Sequence, residues 1–546
     1  MKKQKYVFRR LVSVTAALLL CCCMKAVAQD LMPLSQPTGM AAEKYLNRRD
    51  ARIFLAYKPL ISDNTKPFLN PDSALIPGCK INSPSFSYAR RKIFYENFLK
   101  VDSAAFFLAA DPLFDFRYGK NTDESRSYYH NMRGFRITAN FGHKLALSTT
   151  FYENQARFPK YINDFIKKYE VAPGDGRVKD FKGTGWDYGT ALGSISYSPS
   201  KHYNIQFGHD KVFIGNGYRS LLLSDNAFQF PHLQFTVSYG IFRYTTLFAS
   251  FMNLDTKGVL NADNVWYHGY QKKGGTFNYL SIIPAKGLEI GLFEGTIWEA
   301  GNSRGRQWNL NHFIPVIGLN TIRYGLSSNN NVLTGLDIRY SIINSIQLYG
   351  QFMLDDISLK DLKNNGYLKN KYGYQFGMKY WDMFGLQNLN LRIEYNRVRP
   401  YAYAHRDPLQ SYTHYNQSLA HPLGANFSEA LSIVSYRYRR VWAEVSFSYA
   451  QVGADSADSH WGQNIFTSDY DAEKGYNSYE NRLLQGEKTN IMNGTLEAGF
   501  LFNPKTNLSF IAGIATRSYK NSFTKTTVNY YYFGISTNLS NHYFDF

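Results

Sequence analysis

Two segments of the sequence concentrate side chains that could bind a polar ligand. The first spans residues 207–227, where glycines that permit tight backbone turns separate the polar residues. It predicts either an inward-folded loop held by its own hydrogen bonds or a lining whose Arg, Asp, Asn and Tyr side chains face a sugar. A phosphate loop is excluded, because no Gly-Lys-Ser/Thr ending or following helix accompanies the Gly-Asn-Gly at 215–217. The candidate glycan-binding residues here are His209, Asp210, Arg219, Asp225 and Asn226.

The second segment spans residues 394–429 and interleaves aromatic rings with Arg, His and Asn. Aromatic rings can stack on the faces of sugars, while the polar side chains hydrogen-bond to sugar hydroxyls. A packed loop is the alternative interpretation. The candidate glycan-binding residues of this segment are Arg399, Tyr401, Tyr403 and His405.

Three histidines of the second segment raise the question of a metal site. His405, His414 and His421 are too widely spaced for a compact helical metal motif, although a folded loop could gather them. We therefore expect no metal ion, and nothing in the sequence predicts a cofactor.

The residues that could perform catalysis form no recognisable constellation. Ser220 and Ser224 lie near His209, but no G-x-S-x-G elbow surrounds them. Three acidic pairs could pass for glycosidase carboxylates or calcium ligands, yet such pairs in polar loops are usually solvated. We expect a protein that is not an enzyme. The pairs are Asp355 with Asp356, Asp455 with Asp458, and Asp469 with Asp471.

The composition narrows the class of protein that presents these segments. The chain has 546 residues, 16% of them aromatic, and a formal net charge of +19. Disorder is excluded by this aromatic content. After residue 24 no run of about 18 apolar residues could span a bilayer as a helix. The basic residues are dispersed without a run of five or six, which argues against a nucleic-acid partner.

Residues 1–28 have the pattern of a secretory signal peptide. Basic residues at 2–10 precede an apolar stretch at 11–24, and the small-x-small sequence Ala26-Val27-Ala28 follows. A lipoprotein signal is the alternative, because three cysteines end the apolar stretch, but Leu20 before them does not fit a lipobox. Cleavage after Ala28 would leave Cys79 alone, so we expect an exported chain without an internal disulfide.

From about residue 104 onward the sequence alternates apolar and polar residues with the period of a β-strand. In residues 389–396, for example, Leu, Leu, Ile and Tyr share one face, and Asn, Arg, Glu and Asn share the other. Many runs have the length of a tilted membrane strand, and short and long connections alternate between them. Residues 104–546 therefore predict an all-β fold, a transmembrane antiparallel β-barrel of about 18 strands in the outer membrane.

Residues 29–103 read differently, with helical spacing at 41–52 and at 88–99 separated by prolines. We expect a small helical plug or periplasmic element before the first strand. At the other end, alternation at Phe533, Ile535, Thr537 and Leu539 continues towards an aromatic terminus. This pattern predicts a terminal strand, ending at Phe546, that the outer-membrane insertion machinery would recognise.

On these residues the chain resembles the capsule assembly Wzi family and the related RemB-like gliding-motility outer-membrane proteins. The resemblance is carried by residues 207–227, above all Gly-Tyr-Arg-Ser-Leu-Leu-Leu-Ser-Asp at 217–225. Residues 348–356, 399–403 and 421–426 support it. It implies an outer-membrane barrel of about 18 strands with an N-terminal helical plug.

For the capsule members the resemblance further implies a lectin-like role, in which the barrel holds exported polysaccharide at the cell surface without catalysis. The expected partners are then surface polysaccharide and outer-membrane lipid. The gliding-type members imply a part in motility or adhesion instead. A porin or solute channel is a third hypothesis, because polar residues such as Gln347, Gln351, Arg392 and Glu394 are expected to face inward.

Overall fold

A computed structural model gives the fold of most of the chain. The described residues are 31–32, 34–61, 65, 67–69, 74–77, 86–103, 105–121, 126–142, 144–254, 259–260, 266–267, 270–300, 310–319, 321, 330–356, 366–456, 459–470, 479–537 and 540–546. The predicted signal peptide and Cys79 lie outside these residues.

Eighteen antiparallel strands form one closed barrel, as the alternation predicts. Each strand pairs with the next along the chain, and the last pairs with the first from Asn121↔Tyr530 to Asp115↔Ser536. The strands are β1 Phe106–Asn121, β2 Ser127–Phe141, β3 Leu145–Arg157, β4 Gly185–Ser200, β5 Tyr203–Asp210, β6 Phe230–Tyr239, β7 Phe242–Asn253, β8 Gln271–Ala285, β9 Leu288–Glu299, β10 Asn331–Ile343, β11 Ile346–Asp356, β12 Lys371–Tyr380, β13 Leu389–Val398, β14 Phe427–Tyr438, β15 Val441–Ala454, β16 Glu487–Asn503, β17 Leu508–Lys520 and β18 Lys525–Ser536.

The two faces of the wall differ as the period of two requires. In β13, Ile393 and Tyr395 are exposed on the outside, while Arg392, Glu394 and Asn396 are buried in the lumen. An apolar outer face and a polar interior, the opposite of a soluble protein, are typical of β-barrels in the outer membrane. Among the described residues no helix is long and apolar enough to cross a bilayer.

In the described part of the chain three α-helices accompany the barrel: α1 Gln36–Leu46, α2 Tyr88–Phe94 and α3 Lys160–Tyr169. The first two overlap the predicted helices at 41–52 and 88–99, and α1 begins earlier because proline fits a first helical turn. In α1, Lys44 pairs with Asp382 at 2.7 Å, and the carbonyl of Met40 accepts a hydrogen bond from Trp381. Because the β12–β13 connection is short, α1 lies at the periplasmic end.

The N-terminal segment continues into the lumen after α1. Tyr57–Lys58 pairs antiparallel with Phe213–Ile214, which belongs to the long connection between β5 and β6. Arg339 of β10 donates to the carbonyl of Ile53 at 2.9 Å. These contacts place residues 53–58 inside the barrel, although the domain boundaries predicted from sequence stay a prediction.

The end of the chain corrects one expectation. β18 ends at Ser536, and Ser540–Phe546 form no strand and fold back into the lumen. Thr537 still bonds to the backbone of Phe114, but further along β1 the residues Phe107–Ala110 pair with the short strand Leu99–Asp102 instead of with β18. The prediction of a terminal strand that reaches Phe546 is therefore wrong, because the polar residues 540–542 find bonding partners inside the barrel.

A glycine in the barrel wall tests the pairing of β11 with β12. A Cβ atom on Gly377 of β12 would lie 2.1 Å from Cζ of Tyr349, whose ring covers the glycine from β11. We expect Gly377→Val to lower the free energy of unfolding by about 1–3 kcal/mol, because the ring must move and lose its hydrogen bond to Glu394. The temperature at which the folded band disappears from SDS gels measures the effect.

Gly189→Val is the matched control, since the atom nearest to its Cβ would be the carbonyl oxygen of Tyr152, at 3.6 Å. Equal unfolding temperatures for the two variants would contradict the pairing of Tyr349 with Gly377.

Candidate glycan-binding site

The connection between β5 and β6, residues 211–229, folds into the lumen around one buried arginine. Arg219 is 1% exposed, and its Nη2 lies 3.0 Å from Oε1 of Glu429 and 2.9 Å from Oδ1 of Asp545. Glu429 is also bonded by His421 at 2.7 Å. A buried charge of this kind is tolerated only when it is paired and hydrogen-bonded, so Arg219 ties this connection to the wall and to the chain's end.

Polar side chains of the wall hold the backbone of the same connection. Glu394 of β13 accepts from the amides of Tyr218 at 2.7 Å and Arg219 at 3.2 Å. Gln351 of β11 accepts from the amide of Leu221 at 2.8 Å, and Gln375 of β12 donates to the carbonyl of Arg219 at 3.1 Å. The inward-folded loop predicted from sequence is therefore present, and the barrel wall supplies many of its hydrogen bonds.

The second segment covers the first from the outer side. Leu221 and Leu222 are fully buried, and their carbonyls accept hydrogen bonds from Tyr403 at 2.8 Å and Tyr412 at 2.7 Å. This segment connects β13 with β14 and is long, which identifies the outer end of the barrel. The packed-loop interpretation thus describes most of residues 399–426.

The chain's end closes the remaining space beside Asp225. Both carboxylate oxygens of Asp225 are bonded at 2.8 Å, one by Tyr543 and one by Asn541. His542 lies 2.8 Å from Asp175, which is in the outer connection after α3. Burial opposes the ionisation of Asp175, but His542 and Lys211 outweigh it and hold the pKa of the carboxyl below its usual value.

The structure distributes the nine predicted glycan-binding residues over several environments. Arg219, Asp225, Asn226, Tyr401 and Tyr403 are buried in the lumen contacts, whereas His209 lies on the outward face of β5 with Phe207. Asp210 is next to it on the inward face.

Arg399 and His405 are the half-buried members of the set near the outer end. Glycan binding by any of the nine residues stays a prediction.

The three histidines of the second segment are held separately. His421 bonds Glu429, and His414 accepts from the amide of Met252, where burial lowers its pKa to about 3. Among the described residues no group of three His, Cys, Asp or Glu side chains is arranged to hold a metal ion. Asp458 and Asp471 lie outside the described residues.

A small cluster of side chains at the outer rim was not predicted from the sequence. The guanidinium of Arg406 lies 5.1 Å from the ring centre of Tyr470, and the ring is 55% exposed. Ser468 donates to the carbonyl of Arg406 at 2.8 Å and so joins two outer connections. We call His405, Arg406 and Tyr470 the rim patch. The only sequence signal for the rim patch is that Arg406 directly follows the candidate residue His405, because Tyr470 is distant in sequence.

A closed antiparallel barrel of 18 strands, apolar outside and polar within, defines the chain as a β-barrel of the outer membrane. Within that class it belongs to the capsule assembly protein Wzi family, whose sequence profile matches residues 190–528. The resemblance found in the sequence is thereby confirmed.

A solved structure shows a similar fold. Wzi of Escherichia coli, described as an outer-membrane protein involved in group 1 capsule assembly and a carbohydrate-binding β-barrel, is similar with a TM-score of 0.55 and 12% identity. The match covers 95% of this chain and 100% of that one. OprD of Pseudomonas aeruginosa matches with a TM-score of 0.40 and 11% identity over 78% of this chain and 94% of that chain. A comparison with curated protein sequences finds no match.

Removing the central arginine tests whether it holds the lumen contacts together. We expect Arg219→Met to lower the free energy of unfolding by about 3–5 kcal/mol, because the buried Glu429 and the half-buried Asp545 would lose their cation. Urea unfolding of the protein in detergent measures this loss. The double variant with Glu429→Gln should recover part of it, and a double variant no more stable than Arg219→Met would contradict the pairing.

The contact of Asp175 with His542 predicts a pH dependence. Since the folded-state pKa of Asp175 is lowered, its contribution is present above the unfolded value of about 3.9 and is lost as the pH falls through the folded value. Asp175→Asn should therefore lower the unfolding free energy by about 1.5–3 kcal/mol at pH 6. Unfolding curves of both proteins should converge as the pH drops below 4, and a constant difference down to pH 2 would contradict this assignment.

Proposed function

We propose that this chain is a non-enzymatic outer-membrane barrel that binds or anchors surface polysaccharide at its outer rim. Membership of the capsule assembly family supports the process, and the carbohydrate binding described for the Escherichia coli relative supports the ligand class. The filled lumen supports the location. With the described connections packed inside, a long polymer has access to the outer surface and not to a wide pore.

The rim patch is the observation that carries the proposal. An exposed aromatic ring offers an apolar face on which a sugar ring can stack, while a guanidinium beside it can donate to hydroxyl or carboxylate oxygens. Tyr470 and Arg406 present this combination, and Ser468 fixes the backbone of Arg406. His405 adds a ring whose Nδ1 accepts from the amide of Asp407 at 3.1 Å.

Other aromatic rings lie in the outer connections as well. Tyr479 is exposed and lies 5.2 Å, centre to centre, from Tyr367. Arg177, in the connection after α3, lies 5.0 Å from the ring centre of Tyr270. Repeated aromatic and cationic pairs suit a polymer of repeating sugars, because several weak contacts on one chain add through their effective concentration.

We propose no catalytic role for the candidate nucleophile Ser220, because its hydroxyl donates to the carbonyl of Ile214 and the side chain is buried beneath the second segment. The gliding-motility or adhesion role stays an alternative that no contact among the described residues favours.

We further propose that the insertion machinery recognises β18, which ends at Ser536.

Binding of purified capsular polysaccharide to the detergent-solubilised protein tests the rim patch. We expect Arg406→Ala and Tyr470→Ala each to weaken binding about tenfold, because each removes a hydrogen-bonding or stacking group. Immobilised protein and a concentration series of polysaccharide give the dissociation constants.

Phe523→Ala is the matched control, since Phe523 is 84% exposed on the separate hairpin between β17 and β18. Tyr403→Phe tests the buried alternative, because it removes only the hydroxyl that bonds Leu221. Loss of binding in Tyr403→Phe, with no effect at Arg406 and Tyr470, would overturn the rim location in favour of the buried part of the second segment around Tyr403.

A further inference from the structure

A cavity of about 130 Å³, lined by both polar and apolar side chains, lies inside the barrel, away from the rim patch. The N-terminal segment forms one side through Leu31 and Pro59, and strands β2 to β5 form the other. Two of its lining residues, Ala146 and Ser196, are close to the short β2–β3 and β4–β5 turns. The cavity therefore lies in the periplasmic half of the lumen.

One amide in the lining has no protein partner. Gln229 is 1% exposed, and neither its Oε1 nor its Nε2 is hydrogen-bonded within the described part of the chain. A buried polar group without a partner costs about 1–3 kcal/mol, so native proteins nearly always satisfy it with protein, water or ligand. Gln229 thus points to an occupant that both donates and accepts hydrogen bonds.

Two opposite charges face the same space without pairing. The guanidinium of Arg136, on β2, makes no hydrogen bond or ion pair with any described residue. Asp210, at the end of β5, uses one carboxylate oxygen to accept from the amide of Lys211 at 2.8 Å. The other oxygen faces no described donor. An occupant bonded by both groups must accept hydrogen bonds from the guanidinium and donate them to the carboxylate.

Hydroxyl side chains complete the lining. Ser148 and Ser194 bond each other at 2.9 Å across β3 and β4, and Thr150 follows on the same face of β3. A cavity of about 150 Å³ holds one six-membered ring, whereas a single water needs only about 10–15 Å³. At about 130 Å³ the cavity approaches the size that holds a six-membered ring and is far larger than a single water molecule needs.

We propose that this cavity binds a single sugar residue, presented from the periplasmic side, through Gln229, Arg136 and Asp210. The sugar class rests on the proposed function, whereas the position of the cavity does not. Hydroxyl groups both donate and accept, so a pyranose ring satisfies the amide of Gln229 at both ends and bridges the two charges. In this proposal the cavity recognises one sugar residue inside the barrel, and the rim patch retains the polymer at the outer surface.

Titration of the full chain in detergent with single sugars tests the proposal. The probes are D-glucose, D-galactose and D-glucuronate, with glycine betaine as a zwitterion of similar size, and calorimetry records the binding. We expect saturable binding of at least one sugar, weakened about tenfold by Gln229→Met and by Thr150→Val. Saturation by glycine betaine alone, or by none of the four probes, would overturn the proposal.

Gln347→Met is the matched control, because Gln347 is also a buried amide with both ends unpartnered and does not line this cavity. An equal loss in Gln347→Met would show a general structural effect and overturn the assignment of Gln229. Tyr470→Ala distinguishes the two proposals, since it should weaken polymer binding about tenfold and leave binding of the single sugar in the cavity unchanged. Failure at the rim would therefore not count as failure in the cavity.

Discussion

The whole structure depends on closing a β-sheet in lipid, where no water is present to satisfy an unpaired backbone group. Pairing of β1 with β18 removes the two edges that eighteen strands would otherwise leave open. Closure at this strand number has a consequence, because a barrel of 16 to 18 strands encloses space wide enough for an aqueous channel. The chain fills that space with its own N-terminal segment, two inward connections and its last seven residues.

Filling a lumen lined by charges requires that the charges find partners. The wall supplies Glu394, Glu429 and Gln351, and the inward connections supply Arg219 and exposed backbone amides. Each buried charge loses hydration that only close pairing and hydrogen bonding repay. This requirement explains why the glycine-rich segment, which looks like a binding loop in the sequence, serves mainly to lock the interior. The recognition of a polymer that we propose is then left to the outer connections.

The sequence predicted the wall well and the interior poorly, for a physical reason. Alternation is a local property, so the strand class, the approximate strand number and the polar inward face of β13 followed from neighbouring residues. Contacts such as Arg219 with Asp545 join positions more than 300 residues apart, which no local period reveals. The same limit explains the error at the C-terminus, where Thr537 and Leu539 continue the alternation although the strand ends at Ser536. His209 and Asp210 show how much a single position matters. They are neighbours in β5, but His209 lies on the outward face of the strand and Asp210 on the inward face.

Electrical conductance across a planar bilayer tests the filled lumen most directly. The full chain, inserted from detergent, should give no steady conductance of the size expected for an open barrel of 18 strands. Its described segments obstruct the path from the periplasmic helix α1 to the second segment at the outer end. A large and stable conductance that persists over seconds would contradict the account, because ions would then cross a lumen that the chain's own segments should occupy.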